Sequence, residues 1–282
     1  MIKQILVPTD GSDQSLTAAD YAISIAHVYN AGIRGLFVKD VKILTGPMIR
    51  DIGTSIGGMV PYGTFNQIVR QVLETEADAA LALIEGKCDE AKIPFSREVR
   101  EGVVSREIVK SSEECDMIVM GRTGAHTEWR DVFLGTTVEF VVRQTHKPIL
   151  IAQLTFKPFT KMLIAYDGSQ YADRALHSGT EIAQAMKLPV TVVYVTDRRE
   201  EGVKIVSKAE NFLAGYNITA DTILHEGHDY AKGILEVCND EEKRFDILVM
   251  GAYGHSRIQE MILGSTTVRV MRSAECSILL SR

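Results

Sequence analysis

Short apolar runs alternate along this chain with longer stretches whose apolar positions recur every three or four residues. The runs cover residues 4–8, 33–38, 95–100, 117–121 and 148–152 in the first half, and 162–165, 190–195, 219–225, 247–251 and 277–280 in the second. Several are β-branched and apolar at nearly every position, the pattern of strands buried on both faces of a parallel sheet. Between them Ala19, Ala22, Ile23 and Ala26 share one helical face, as do Ala172, Ala175, Leu176, Gly179, Ile182 and Ala183. Ser12 and Ser169 follow a strand and a glycine turn and are expected to cap the first helix of each half. Strand, helix, strand, helix predicts an α/β protein: two tandem Rossmann-like, doubly wound domains, each a five-stranded parallel sheet with helices on both faces.

The chain repeats itself. ILVPTDGS near the start matches LIAYDGS later, with Asp10 and Asp167 at an offset of 157, and Gly11, Ser12 and Ala18 meeting Gly168, Ser169 and Ala175. DMIVMGRTG at 116–124 pairs with DILVMGAYG at 246–254, and HKPILIAQ at 146–153 with ECSILLSR at 275–282. The expected domains are residues 1–154 and 159–282, joined by a short linker. The first half carries a net insertion, placed at residues 43–70, which is Gly-rich with two prolines and is expected to form a long loop. Residues 148–152 and 277–280 are expected to pair within the chain.

Composition narrows the partners. Over 282 residues the formal net charge is −6 and no long Lys/Arg block occurs. That argues against nucleic acid, which demands concentrated positive charge, but not against one nucleotide held by backbone amides. No stretch approaches the ~20 apolar residues of a membrane span. The opening MIKQILVPTDGS lacks a signal-peptide core. Cys88, Cys115, Cys238 and Cys276 show no zinc-like spacing and read as reduced, buried thiols. A cytoplasmic protein is expected, with no membrane contact.

The candidate chemistry lies where strands end. In GAYGHSRIQEMILGSTT, Gly251 closes a strand, Gly254 follows, and Gly264-Ser265-Thr266 opens a helix. A glycine there admits backbone close to a ligand. A helix N-terminus offers free N–H groups and positive dipole charge, which suit phosphate. In the first half Gly121, Gly124, Gly135, Thr136 and Thr137 occupy the same places. The first strand of each half ends at an acid, Asp10 or Asp167, on the same sheet edge. Such a carboxylate could accept hydrogen bonds from a ribose or help hold a phosphate-bound Mg²⁺.

These features together resemble a tandem universal stress protein. The family motif G-x2-G-x9-G-[ST] matches residues 251–265 position for position; the first half departs from it, with ten residues between Gly124 and Gly135. The resemblance covers nearly the whole chain except residues 43–70. It implies binding of ATP, or ADP or AMP, and a nucleotide-dependent role in stress response with little or no turnover. It implies that Asp10 and Asp167 are the family's strand-1 aspartates, and that Val38 and Val195 meet adenine through their backbone. It implies that the glycine and hydroxyl residues of both motifs contact ribose and phosphate. It also implies pairing of the two halves in the manner of a dimer, and favours a homodimer of the whole chain with a protein partner as yet unknown.

Alternatives stand beside this reading. A slow ATP-hydrolysing enzyme would need a nucleophile and base that the sequence does not suggest, so no catalytic residue is assigned. A scaffold, or a carrier of an apolar ligand under residues 43–70, would bind no nucleotide. Asp10 and Asp167 could serve only as turn residues. His126 and His255 are candidates for phosphate contact or exposed loop residues. Arg122, Arg130 and Arg257 are candidates to neutralise phosphate or solvated surface cations, and Trp129 could cover the site or a partner. His225-Glu226-Gly227-His228 lacks the spacing of a helical zinc motif, so no metal site is assigned.

Overall fold

The computed structural model describes residues 1–42, 62–124, 135–254 and 263–282. The strands and helices run in the order β1 (Gln4–Thr9), α1 (Asp13–Tyr29), β2 (Gly32–Asp40), α2 (Tyr62–Ala91), β3 (Phe95–Gly102), α3 (Val104–Ser112), β4 (Met117–Gly121), α4 (Thr136–Gln144) and β5 (Ile149–Ala152). The second half repeats the scheme with β6 (Met162–Ala165), α5 (Gln170–Met186), β7 (Val190–Thr196), α6 (Arg199–Ala214), β8 (Ala220–Glu226), α7 (Tyr230–Cys238), β9 (Ile247–Gly251), α8 (Ser265–Ser273) and β10 (Ser277–Ser281).

Among the described residues the ten strands join one sheet, ordered β3-β2-β1-β4-β5-β10-β9-β6-β7-β8. Each half is parallel and places its first strand beside its second and its fourth, so the order reverses at β1 and again at β6. The halves meet through β5 and β10, which pair antiparallel with Leu150 opposite Leu279. The two parallel sheets expected from the sequence are thus continuous, and the seam strands supply each other's edge.

Alternation along each strand builds two cores. Ile5 and Val7 join α1, α5 and α6 on one face, while Leu6 joins α3, α4, α7 and α8 on the other. Both cores run across the seam, because strands of both halves contribute to each. The linker is held by Tyr21 of α1, whose ring stacks on Phe159 with centroids 5.1 Å apart. Its hydroxyl accepts from Lys157 N at 3.0 Å and from Gln153 Nε2 at 2.7 Å.

The caps form as expected: Ser12 Oγ accepts from Ser15 N, and Ser169 Oγ from Ala172 N. The long loop over 43–70 is corrected in part. Residues 62–70 belong to α2, a helix of 30 residues, and the rest of that segment lies outside the described residues. Residues 67–72 are mostly exposed, and burial on α2 starts at Leu73 and continues through Ala77, Ala80, Leu81, Ile84 and Cys88. Ile68, Val69, Val72 and Leu73 do recur there at helical spacing, although Ile68 and Val72 stay half exposed.

Candidate functional site

In the second half β6 runs out into Tyr166-Asp167-Gly168-Ser169. Gly168 turns the chain at φ +76°, a conformation that glycine adopts without strain. Asp167 closes this turn by accepting from Ser169 N through Oδ1 at 2.9 Å. Its Oδ2 faces the next strand end, where a Cβ on Gly254 would lie 3.2 Å from it. The aspartate thus shapes the turn with one oxygen and has the other at the carboxyl edge of the sheet.

At the end of β9 the chain passes against the first turn of α5. A Cβ on Gly251 would meet the Tyr171 carbonyl carbon at 2.9 Å and Ala172 N at 3.0 Å. The following residues are tied down on both sides. Ala252 N donates to Ser281 O at 2.9 Å, and Thr267 Oγ1 donates to Ala252 O at 3.0 Å. The Tyr253 ring rests against Tyr171, with centroids 5.1 Å apart. Helix α8 has Gly264 as its N-cap, which supplies no side-chain bond, so the first-turn amides of α8 are not satisfied by a side chain of their own N-cap residue.

These parts enclose a cavity of about 370 Å³. All seven residues singled out in this half line it: Asp167, Val195, Gly251, Gly254, Gly264, Ser265 and Thr266. The cavity has two ends of different chemistry. One is apolar and aromatic, with Val193, Val195 and Ile234 beside Tyr194 and Tyr230; the other carries Asp167, the glycines and the start of α8. Such a site suits a ligand with a flat, weakly polar body and an anionic tail. Its volume lies within the usual range for small-molecule sites, and its glycine-lined wall is where a Cβ would crowd the turn.

The aromatic end was not foreseen. Tyr230 opens α7 and is 54% exposed at the cavity. Its helix is positioned by Asp229, which caps Lys232 N through Oδ1 at 3.0 Å and accepts from Arg269 Nη1 of α8 at 2.6 Å through Oδ2. The Lys232 amide and the Arg269 guanidinium hold the Asp229 carboxyl below its ordinary range. Gly233 lets α7 approach the sheet, since a Cβ there would lie 2.8 Å from both methyls of Val195. The signal for Tyr230 was available in principle: a helix that follows a strand of this sheet begins at the same edge as Asp167. His225 pairs through Nε2 with Glu236 at 2.9 Å, and His228 faces Asp197, so the two histidines engage different partners.

The first half repeats the turn, with Gly11 at φ +79° and Asp10 Oδ1 accepting from Ser12 N at 3.1 Å. A Cβ on Gly124 would lie 2.7 Å from Asp10 Oδ2, and one on Gly121 would lie 3.0 Å from Gln14 O. Gly135 caps α4 without a side-chain bond, donates from N to Arg122 O at 3.1 Å, and is followed by Thr136 and Thr137 in the first turn. Val38 lies near the end of β2, one position past the Thr9–Phe37 level, and packs toward the core of α3 and α4. The two loops then diverge. Thr123 N donates to Gln14 Oε1 at 2.9 Å, a bond within the first half where the second has the Tyr171–Tyr253 contact.

Arg122 corrects an expectation. Rather than a solvated surface cation, it reaches across the seam and donates from Nη1 to Ala274 O at 2.8 Å and from Nη2 to Cys276 O at 3.2 Å. Burial pushes its guanidinium pKa down. Its place in the sequence gave no hint of this, because the acceptors are carbonyls of the other half. Arg130, Arg257, His126, His255 and Trp129 lie outside the described residues. No helix among the described residues is long and apolar enough to cross a membrane.

Comparison with known proteins agrees with this architecture. The Universal stress protein family matches at residues 1–55, 58–153 and 158–282. A universal stress protein of Synechocystis is 26% identical over 296 residues and covers 100% of both chains. One of Methanocaldococcus jannaschii is 33% identical over 155 residues, covering 54% of this chain and 83% of its own. Among solved structures, a universal stress protein of Archaeoglobus fulgidus superposes with a TM-score of 0.74 at 23% identity, covering 99% of this chain and 98% of that one.

Proposed function

The chain belongs to the universal stress protein family, and from that premise we propose that it is an adenine-nucleotide-binding regulator of a stress response, with ATP as the ligand and little or no turnover. The observation that carries the reading is the convergence of Asp167, Val195, Gly251, Gly254, Gly264, Ser265 and Thr266 on one cavity with an apolar end and an anion-binding end. Adenine would occupy the apolar end, with Tyr194 and Tyr230 beside it and Val195 presenting backbone. Asp167 would hold the ribose hydroxyls, or a Mg²⁺ that arrives with the phosphates. The phosphates would lie at the start of α8, where first-turn amides and the hydroxyls of Ser265 and Thr266 favour negative charge. Binding would act as regulation by favouring the arrangement in which the glycine segment, α5 and α8 are held together.

The first half is read as a second nucleotide site, built from Asp10, Val38, Gly121, Gly124, Gly135, Thr136 and Thr137. Its glycine segment carries two added ties, the Gln14 bond and the Arg122 bridge. We therefore expect the second-half site to be the tighter. Mass spectrometry of nucleotide released from protein purified without added ligand, with a titration of stoichiometry, tests the proposal. Release of an adenine nucleotide and one or two sites per chain would support it. Absence of both release and a nucleotide-dependent rise in Tm would overturn it.

A further inference from the structure

We propose that Cys238 and Cys276 form a thiol modification site, a reversible intramolecular disulfide that staples the end of α7 to the residue just before β10. The two Sγ atoms lie 3.2 Å apart, and both side chains are buried free thiols. A disulfide bond is about 2.05 Å long, so closure asks for about 1 Å of sulfur movement.

The backbones that carry the two sulfurs are already pinned to each other. Asn239, next to Cys238, donates from Nδ2 to Ser273 O at 3.1 Å and accepts from Glu275 N through Oδ1 at 3.1 Å. Arg122 holds the carbonyl of Cys276 itself from across the seam. The pair therefore meets by construction of the fold rather than by chance approach of two mobile segments. In the first half Lys147 occupies the place of Cys276, so no thiol pair stands there. There Ser112, the last residue of α3, places its hydroxyl 3.3 Å from that of Thr145, the C-cap of α4.

The chemistry balances with a hydroperoxide as oxidant. One sulfur, as thiolate, attacks a peroxide oxygen and the O–O bond breaks; a sulfenic acid forms, and the released hydroxide takes up the thiol's proton as water. The second sulfur attacks the sulfenic sulfur, the S–S bond forms, the S–O bond breaks, and hydroxide leaves with the second thiol's proton as another water. Two thiols and one hydrogen peroxide give one disulfide and two waters. The hydrogen bond to Cys276, followed by burial, holds the Cys238 thiol above its ordinary range, while the Arg122 guanidinium pulls the other way. The reaction is accordingly slower than at an exposed, activated thiol, and the site answers sustained oxidant rather than a brief pulse. Helix α7 carries Tyr230 and Ile234 of the cavity, so the staple fixes the element that forms the cavity's aromatic end.

The full chain, treated with hydrogen peroxide under native conditions, then alkylated after denaturation and mapped by peptide mass spectrometry, tests this. The expected product lacks two hydrogens, joins the Cys238 and Cys276 peptides, and reverts with dithiothreitol. Cys88 and Cys115, also buried, should be recovered as alkylated thiols. The oxidised protein should melt about 5 °C or more higher than the reduced one. Cys238→Ser should abolish the link; if that variant does not fold, the wild-type peptide map still decides. Linkage of Cys238 or Cys276 to Cys88 or Cys115 at a comparable rate, or linkage only in denaturant, would overturn the proposal.

Discussion

Gly254 stands directly against Asp167: a Cβ on the glycine would lie 3.2 Å from the carboxylate Oδ2. Gly251, three residues earlier, stands instead against backbone, with Tyr171 C at 2.9 Å from the same imagined atom. A carboxylate can shift by a few tenths of an ångström, whereas the first turn of α5 cannot without disturbing its helix. Gly251→Ala should therefore lower unfolding free energy by about 1–3 kcal/mol, from overpacking. Gly254→Ala should leave stability nearly unchanged and raise the Kd for ATP about tenfold. Denaturant melts beside nucleotide titrations separate the two; equal stability losses would contradict the geometry.

Asp167→Asn separates the turn from the charge. The amide oxygen of asparagine can still accept from Ser169 N, the bond that closes the Asx turn. The negative charge facing Gly254 is lost. Stability should change by less than about 1 kcal/mol, while ATP affinity falls about tenfold through loss of a charge-assisted contact. Asp10→Asn, assayed in parallel, should reduce affinity at the weaker site only. Unaltered ATP binding in Asp167→Asn would leave this residue with its turn alone.

Tyr230 is half exposed, at the mouth of the aromatic end. Its replacement by alanine should shift stability by no more than about 0.5 kcal/mol. If its ring lies against the base, Kd should rise roughly five- to tenfold, and Tyr230→Phe should retain most of the affinity. Isothermal titration with ATP and with inorganic triphosphate gives the contrast: the alanine variant should lose affinity for the first and not the second.

Much of this architecture was legible because it depends on local chemistry. The D-G-S turns need a glycine at positive φ and an Asx acceptor, and both are visible in sequence at Gly11 and Gly168. Buried strands and capped helices follow from apolar runs and from Ser12 and Ser169. Repetition then told which strand ends share an edge, and so which residues converge on the cavity. What was hidden depends on contacts between halves or on exposed surface. Arg122 finds its acceptors in residues 274 and 276, and no local pattern encodes that. The helical spacing of Ile68, Val69, Val72 and Leu73 in α2 was legible, but the glycines and prolines before it outweighed it. Tyr230 belongs to the site only because α7 is held against α8 through Asp229 and Arg269.

Alkaline pH should weaken the fold through Tyr166. Burial, and then its hydrogen bond to Asp173, push this phenol up to about 12 from an ordinary 10.0. The unfolded chain ionises first, so the stabilising contribution is complete below pH 10 and disappears as pH rises through about 12. Lys208, bound to the same carboxylate, is held protonated above its usual range, chiefly by that bond. Its titration adds a loss of the same sign. The urea midpoint should fall between pH 10 and 12, and Tyr166→Phe should flatten part of that fall. Tyr29, also raised by burial, supplies some of the slope that remains.

Arg122 distinguishes a seam residue from a ligand residue. Its two donors serve carbonyls at the end of α8 and before β10, beside a second cross-seam tie between Arg272 and Glu139 at 2.8 Å. Arg122→Met keeps much of the buried stem but leaves those carbonyls without their donors. The cost should be about 1–3 kcal/mol. Lysine should not restore it, because a point charge cannot reproduce a planar fork that reaches two oxygens. Unfolding should remain a single transition, since β5 and β10 still join the halves into one sheet. ATP affinity of the second-half site should hold within about twofold. A variant that kept full stability and lost nucleotide affinity would return Arg122 to the phosphate site.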